Sequence, residues 1–275
     1  MAVETGAAAV ATPKAISLGA MLMNLIEPHP GHEVGYNRWY EEDHLYAVLQ
    51  GPGSIAGARF VARRQEKARR HVDESHDQGR GALLTMYWFD GDGSAHRAWR
   101  AEEGPRLEAA GRVYRERDFV FGYDGRLAFS AGRDVGAVPP ELALDRRFPH
   151  LGLSLIELSA GSTPADDAAA GYRSQCVPLV QAPGSPVALC MGFLGPRVTQ
   201  GAEHRTPGAQ PPADDLVVFW FCDRDPLDEW EHLVAAHEKG VTAAGVGRVV
   251  WSSPFLATVV GTDTYMDQLS GPAGR

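Results

Sequence analysis

The sequence lacks the features that identify a membrane protein or a nucleic-acid-binding protein. It contains no run of about eighteen apolar residues, so no transmembrane helix is predicted. Acidic residues outnumber basic ones, 35 to 26, and the net charge of -9 disfavours a surface for nucleic acid or an anionic membrane. The one basic run, residues 63–70, is mixed with acid and lacks aromatics, which favours a solvated loop or strand end. We therefore expect neither nucleic acid nor membrane as a partner.

Cysteine is scarce. The three cysteines, Cys176, Cys190 and Cys222, are widely spaced and form no CxxC pair, which argues against a disulfide framework and against a zinc site. They are typical of small buried hydrophobic residues in a reducing compartment, so a cytoplasmic protein is predicted. Residues 1–14 lack the basic start and apolar core of a signal peptide and are expected to form a disordered tail.

Cofactor and metal motifs are also missing. The sequence has no nucleophile elbow, dinucleotide fingerprint or P-loop. His232 and His237 would point about 140° apart on a predicted helix, which favours a solvated face over a metal site. A haem would need an axial ligand in an apolar pocket, whereas the candidates His150 and His204 lie in loops rich in proline and glycine. We predict a protein without metal, haem, flavin or nicotinamide.

The predicted helices and strands repeat one order twice. That order is β-α-β-β-α-β, the signature of a ferredoxin-like unit. In the first half it comprises strand 15–26, helix 35–50, strands 54–62 and 83–90, helix 94–110 with a break or kink at Gly104-Pro105, and strand 113–129. In the second half it comprises strand 151–158, helix 164–180, strands 186–193 and 216–223, helix 225–239 and strand 248–260. Residues 63–80 are expected to form a mobile excursion.

Two local matches indicate that the halves are a tandem duplication. Residues 83–90 parallel residues 216–223, and residues 109–113 parallel residues 245–249. The resulting domain prediction is a tail 1–14, a first unit 15–130, a linker 131–149, a second unit 150–265 and a tail 266–275. At 275 residues, with 44% hydrophobic and 22% charged residues, the chain has the composition of a folded protein of this size.

The densest chemical passage is residues 35–45, which predict an amphipathic helix. At about 100° per residue, its apolar face contains Tyr36, Trp39, Tyr40, Asp43 and Ala47. Its polar residues point away from that face, namely Asn37, Arg38, Glu41 and Glu42. Asp43 is the exception, because it is a charged residue on the apolar face. An unpaired carboxylate is costly to bury, so Asp43 needs a partner or a wet pocket.

His44 stands at the edge of the same face and exchanges protons near neutral pH. A core helix with a capped acid and a rim histidine would show the same pattern. If the pattern instead marks a functional site, it predicts that Asp43 orients His44 or stabilises its positive charge. The aromatic residues would then line a pocket for a planar or polycyclic substrate, and they are Tyr36, Trp39, Tyr40 and Tyr87.

A ferredoxin-like unit whose first helix carries Asn37-Arg38-Trp39-Tyr40 and then Asp43-His44, with an aromatic third strand, resembles the dimeric α+β barrel superfamily. Within it, the motif is similar to the EthD-like branch. The resemblance covers residues 16–129, and residues 151–260 by internal repetition. It implies an α+β fold in which two units of one chain close a barrel as a pseudo-dimer. The equivalent second-half helix, around residues 166–173, has no Asp-His pair, so the site is expected in the first unit.

The superfamily hosts cofactor-free monooxygenases, polyketide cyclases, lactone isomerases, dehydratases and haem proteins, so the fold alone selects no activity. The residues predict a cofactor-independent lyase, isomerase or cyclase in which His44 moves a proton on a hydrophobic, aromatic or polyketide-like small molecule. One alternative is a cofactor-free monooxygenase, in which His44 deprotonates the substrate before it meets oxygen. Another is a non-catalytic small-molecule binding protein. A further alternative is a homodimer in which each subunit is itself a pseudo-dimer.

Overall fold

The computed structural model describes residues 16–73, 79–134, 148–159, 163–199 and 213–269, together with Pro139, Glu141 and Leu144. The predicted tail 1–14 lies outside the described residues. So do most of the predicted linker 131–149 and the greater part of the loop that precedes residue 213. The boundaries of the two predicted domains stay a prediction.

The described strands lie close to the predicted positions. They are β1 (Leu18–Pro28), β2 (Ser54–Val61), β3 (His71–Val72), β4 (Leu83–Asp90), β5 (Arg117–Gly132), β6 (His150–Leu158), β7 (Val187–Val198), β8 (Asp214–Cys222) and β9 (Gly247–Ala257). β-branched and aromatic residues dominate β4 and β8, which are buried on both faces. The predicted equivalence of residues 83–90 and 216–223 is confirmed, because each forms the third long strand of its unit.

The described helices are α1 (Glu33–Trp39), a π-helical turn (Tyr40–His44), α2 (Leu45–Leu49), α3 (Arg64–Lys67), α4 (Ser94–Ala109), α5 (Ala165–Gln175), α6 (Val177–Val180) and α7 (Trp230–Ala243). The break expected at Gly104-Pro105 is absent from α4, which runs through Pro105. That part of α4 is exposed, so water can bond the carbonyl that proline leaves without a donor. None of the described helices is long and apolar enough to cross a membrane.

The strands form one antiparallel sheet that closes on itself. Its order is β2-β4-β1-β5-β7-β8-β6-β9, with β3 beside β9. Closure comes from the pairing of β2 with β9, in which Phe60 lies opposite Ala257 and Val61 opposite Leu256. The two ferredoxin-like units therefore meet at β5–β7 and at β2–β9. The predicted intramolecular α+β barrel is confirmed.

Three apolar layers hold the barrel and its helices together. The interior is filled by side chains from all eight long strands, with Trp88, Phe193 and Phe219 among the largest. A second layer lies between the outer face of the second unit and α5–α7. A third lies between the outer face of the first unit and α1–α2, and it contains Tyr36, Tyr40 and Tyr87.

The predicted mobile excursion is wrong for its described part. Lys67 forms an ion pair with Glu27 at 3.0 Å, and buried Arg70 donates from Nε to Ser253 Oγ at 2.9 Å. Trp230 Nε1 donates to the carbonyl of Arg69 at 2.7 Å, so this segment bridges to the second unit. The sequence favoured a solvated run at residues 63–70, because the contacts of Lys67 with Glu27 and of Arg70 with Ser253 join residues that lie far apart in the sequence.

A reciprocal contact comes from residues 258–269, here called the C-terminal strap. It leaves β9 in the second unit and packs on the first unit, where Met266 and Leu269 join the layer around Tyr36. The tail predicted from residue 266 is therefore wrong at its start, because Met266 and Leu269 are each only 3% exposed.

The barrel interior generates a stability prediction. Replacing Trp88 by alanine is expected to lower the free energy of unfolding by about 3–5 kcal/mol, because a fully buried indole leaves a cavity. Trp39→Ala is expected to cost clearly less, because Trp39 is only half-buried. Denaturant unfolding of the two variants measures the difference, and equal losses would contradict this assignment of core and surface.

Candidate functional site

The first helix of the chain changes its winding inside the predicted motif. The N–H of Leu45 bonds to the carbonyl of Tyr40, an i to i+5 spacing that makes residues 40–44 a π turn. The wider turn shifts the side chains that follow by about one position. As a result His44, rather than Asp43, joins the aromatic face. Regular 3.6-residue periodicity placed Asp43 there, so that part of the prediction is wrong.

His44 lies between two aromatic rings. Its ring stacks on Trp39, with centroids 4.5 Å apart and planes inclined by 21°. It meets the edge of Tyr40 at 5.0 Å. The imidazole is half-buried, so one side stays open to solvent. We call Trp39, His44 and Arg117 the His44 face, because Arg117 lies 5.3 Å from the centre of the Trp39 ring.

The surroundings of His44 disfavour its charged form. Burial, together with the positive charges of Arg117 and Arg112, lowers the pKa of His44 to about 4, while Asp43 opposes these effects. The imidazole is therefore neutral at ordinary pH and can accept a proton. It is also a weaker base than a free imidazole.

Asp43 has a partner, as expected for a carboxylate at this position, but the partner is not His44. Both of its oxygens accept hydrogen bonds from the guanidinium of Arg112, one of them at 3.0 Å. That contact lowers the pKa of Asp43. The carbonyl of Arg112 in turn accepts the Trp39 indole N–H at 2.9 Å. Asp43 therefore fixes the segment that holds Trp39.

The predicted lining tyrosines form a packed layer. Tyr36, Tyr40 and Tyr87 are 1%, 3% and 1% exposed. The hydroxyls of Tyr40 and Tyr87 are 2.6 Å apart, and burial raises the pKa of both phenols, so both stay protonated. The structure thus brings Tyr36, Trp39, Tyr40 and His44 together, with Tyr87 directly beneath Tyr40.

A buried arginine that the sequence reasoning missed completes this layer. Arg59 lies 4.7 Å from the centre of the Tyr40 ring, and its Nη1 donates to Asn37 and Glu41, each at 3.0 Å. Its Nη2 finds no partner among the described residues. An arginine within the otherwise apolar strand 54–62 was the available signal. Asn37 and Glu41 point away from the aromatic face, and the C-terminal strap covers them on that flank.

A cleft of about 290 Å³ lies between that flank and the strap. It is lined by Asn37, Arg38, Glu41, Glu42, Tyr46, Val260, Gly261, Thr262 and Asp263. Asn37 donates to the carbonyl of Thr262 at 3.0 Å, and Arg38 pairs with Asp263 at 2.6 Å. The cleft therefore opens on one side of the helix, while the His44 face lies on the other.

The two fully buried histidines among the described residues do not suit haem ligation. The buried histidines, His96 and His237, are each packed against aromatic rings: His96 lies 4.1 Å from Phe89, and His237 lies 4.8 Å from Trp220. Neither leaves room for a planar macrocycle beside its ring. His150 is half-buried, and His204 lies outside the described residues. His237 was expected on a solvated face, and this is wrong because α7 turns it into the second apolar layer.

Among the described residues, no group of three His, Cys, Asp or Glu side chains is arranged to hold a metal ion. The predicted lack of a metal or organic cofactor stays a prediction.

No protein-family model matches the sequence, and no curated protein matches it. Solved structures do match the fold. A dye-decolorizing peroxidase from Bacteroides thetaiotaomicron is 6% identical with a TM-score of 0.53, covering 93% of this chain and 97% of that one. A candidate chlorite dismutase is 7% identical with a TM-score of 0.53, covering 92% of this chain and 100% of that one. An anthrone oxidase-like protein is 12% identical with a TM-score of 0.49, covering 89% and 94%.

These identities are low, so the likeness concerns the fold and carries no activity. The coverage extends over both units and over nearly the whole length of the peroxidase and the dismutase. The expected ferredoxin-like α+β fold is thereby confirmed, whereas the superfamily and its EthD-like branch stay predictions. The chain has a ferredoxin-like α+β fold, with both halves of one closed barrel in one polypeptide.

Proposed function

We propose that the protein is a cofactor-independent acid–base enzyme that acts on a hydrophobic, aromatic or polyketide-like small molecule. The reaction type is that of a lyase, isomerase or cyclase. The observation that carries the proposal is the neutral, half-buried imidazole of His44, stacked on Trp39 and placed near the cation of Arg117.

The first chemical step is removal of a proton from a carbon next to a carbonyl, or from a phenol, by the imidazole of His44. The electron pair left on the substrate forms an enolate or phenolate, and His44 becomes an imidazolium. A base whose conjugate acid has a pKa of about 4 is weak on its own. Arg117 offsets that weakness, because the same cation that lowers the pKa of His44 stabilises the anion formed.

The second step returns the proton from the imidazolium to another atom of the substrate. The double bond then lies elsewhere, or a ring has closed, and His44 is neutral again. No oxidant or reductant enters this sequence. Removal of a leaving group from the enolate would make the same site a lyase.

Trp39 is proposed to hold the aromatic part of the substrate against its exposed edge. Asp43 is a positioning residue, because its bond to Arg112 fixes the backbone that accepts the Trp39 indole N–H. Tyr36, Tyr40 and Tyr87 form the layer behind His44 and Trp39. Their packing keeps the imidazole in place and excludes water from its inner edge.

The proposal predicts that His44→Ala lowers the rate of proton transfer by about a hundredfold to ten-thousandfold, as loss of a general base does. Two planar ketones with acidic C–H bonds, 2-tetralone and anthrone, serve as probes. Deuterium uptake from D₂O is followed by mass spectrometry under nitrogen. His232→Ala is the matched control, because it removes an exposed histidine of the second unit.

The alternatives give different results with the same probes. Oxygen consumption in air that depends on His44 would favour the cofactor-free monooxygenase. Binding of a probe without deuterium uptake or oxygen consumption would favour a small-molecule binding protein. Uptake that is equal in the parent and in His44→Ala would overturn the role of His44.

A second prediction concerns the pH dependence of His44. Its neutral form predominates above its pKa of about 4, so the rate is expected to be flat near neutral pH and to fall below about pH 4. Arg117→Gln removes a cation that lowers this pKa, so the pKa and the acidic limb are expected to move to higher pH. Histidine NMR titration measures the pKa directly, with Arg115→Gln, an exposed arginine nearby, as control. An unchanged pKa in Arg117→Gln would remove Arg117 from the site.

A further inference from the structure

Three polar side chains in the second unit are fully buried around one place and have unused hydrogen-bonding atoms. Tyr172 on α5, Trp220 on β8 and His237 on α7 are each 0% exposed. Tyr172 Oη, Trp220 Nε1 and His237 Nε2 find no partner among the residues that the structure describes. Buried polar atoms are bonded in the large majority of cases, so three such atoms in one cluster require an explanation.

The rings of Tyr172 and Trp220 both pack against the ring of His237. The ring of His237 lies 5.4 Å from that of Tyr172 and 4.8 Å from that of Trp220, both in edge-on geometry. Burial raises the pKa of Tyr172, and the nearby Trp220 indole lowers it. The indole N–H is therefore close to the phenol oxygen without being aligned for a direct hydrogen bond.

We propose that these residues form a binding site for one internal water molecule. The Trp220 N–H and the Tyr172 O–H donate to the water oxygen, and the water donates to His237 Nε2. A single water then satisfies all three atoms, and three hydrogen bonds are the usual number for a buried water. A charged ligand does not suit the site, because complete burial disfavours charge there: it lowers the pKa of His237 and raises that of Tyr172.

The other side of His237 is consistent with this arrangement. Its Nδ1 lies 3.4 Å from Ser154 Oγ, which is 2.9 Å from Ser252 Oγ. If Nε2 accepts from the water, Nδ1 carries the proton and donates to Ser154. Burial lowers the pKa of His237 to about 3, which keeps Nε2 available as an acceptor. The site therefore links α5, α7, β6, β8 and β9 through one set of hydrogen bonds.

The first unit shows why a water is needed in the second. Trp220 lies at the position that Tyr87 has in the first unit, as the match of residues 83–90 with 216–223 indicates. There, Tyr87 bonds directly to Tyr40 at 2.6 Å. The Trp220 indole can only donate, and its N–H makes no direct hydrogen bond to the Tyr172 oxygen. A bridging water restores the pairing.

A crystal structure at about 1.5 Å resolution or better tests the site. The expected result is one density peak at about 2.7–3.2 Å from Tyr172 Oη, Trp220 Nε1 and His237 Nε2. In solution, ¹⁵N NMR of the imidazole is expected to show the tautomer protonated at Nδ1. A dry site, or density larger than a single water, would overturn the proposal.

The sign of the change in Tm caused by Tyr172→Phe provides a second test. If the hydroxyl bonds to the water, its loss is expected to lower Tm by roughly 2–4 °C, the shift that corresponds to one hydrogen bond in a chain of this size. If the hydroxyl has no partner, its removal leaves Tm unchanged or raises it, and the proposal fails. Tyr123→Phe is the matched control, because the Tyr123 hydroxyl donates directly to Asp215 at 2.7 Å and its loss should lower Tm.

Discussion

Closure of the sheet is the constraint on which the rest of the molecule depends. The edge strands of one unit, β2 and β5, pair with β9 and β7 of the other, so each described long strand has a neighbour on both sides, with only two residue pairs joining β2 to β9. The interior is then bounded on all sides and filled with side chains from eight strands. Outside the barrel, among the described residues, lie both the half-buried His44 and the cleft beside the C-terminal strap.

The outer faces of the two units differ in the solvent access of their histidines. In the first unit, the π turn brings His44 to an open edge and leaves it neutral beside Arg117, a combination suited to proton transfer. In the second unit, His237 is sealed among Tyr172, Trp220 and two serines. Both histidines have a pKa lowered by burial, but only His44 is reachable from solvent. His44 and His237 therefore differ in solvent access and not in the direction of their pKa shift. Solvent access makes His44 the candidate catalytic group and His237 a structural one.

The two units are also connected by segments that leave one unit and pack on the other. Residues 63–73 leave the first unit and contact α7 and β9, while the C-terminal strap leaves the second unit and covers Asn37 and Glu41. Arg59 is buried beneath that strap, although it belongs to a strand of the first unit. The environment of the first-unit site therefore depends on residues more than 200 positions later in the chain.

The sequence by itself determined the order of helices and strands and the duplication, because these follow from local periodicity and from the match of 83–90 with 216–223. It also identified the aromatic cluster and the need of Asp43 for a partner. Only the tertiary structure decided that the partner is Arg112, that Arg59 and Arg117 flank the tyrosine layer, and that Lys67, Arg70 and His237 are buried. Each of these contacts joins residues distant in sequence, and the π turn shifts side chains by one position. Neither a long-range contact nor a local change of helical winding leaves a periodic signal in the sequence.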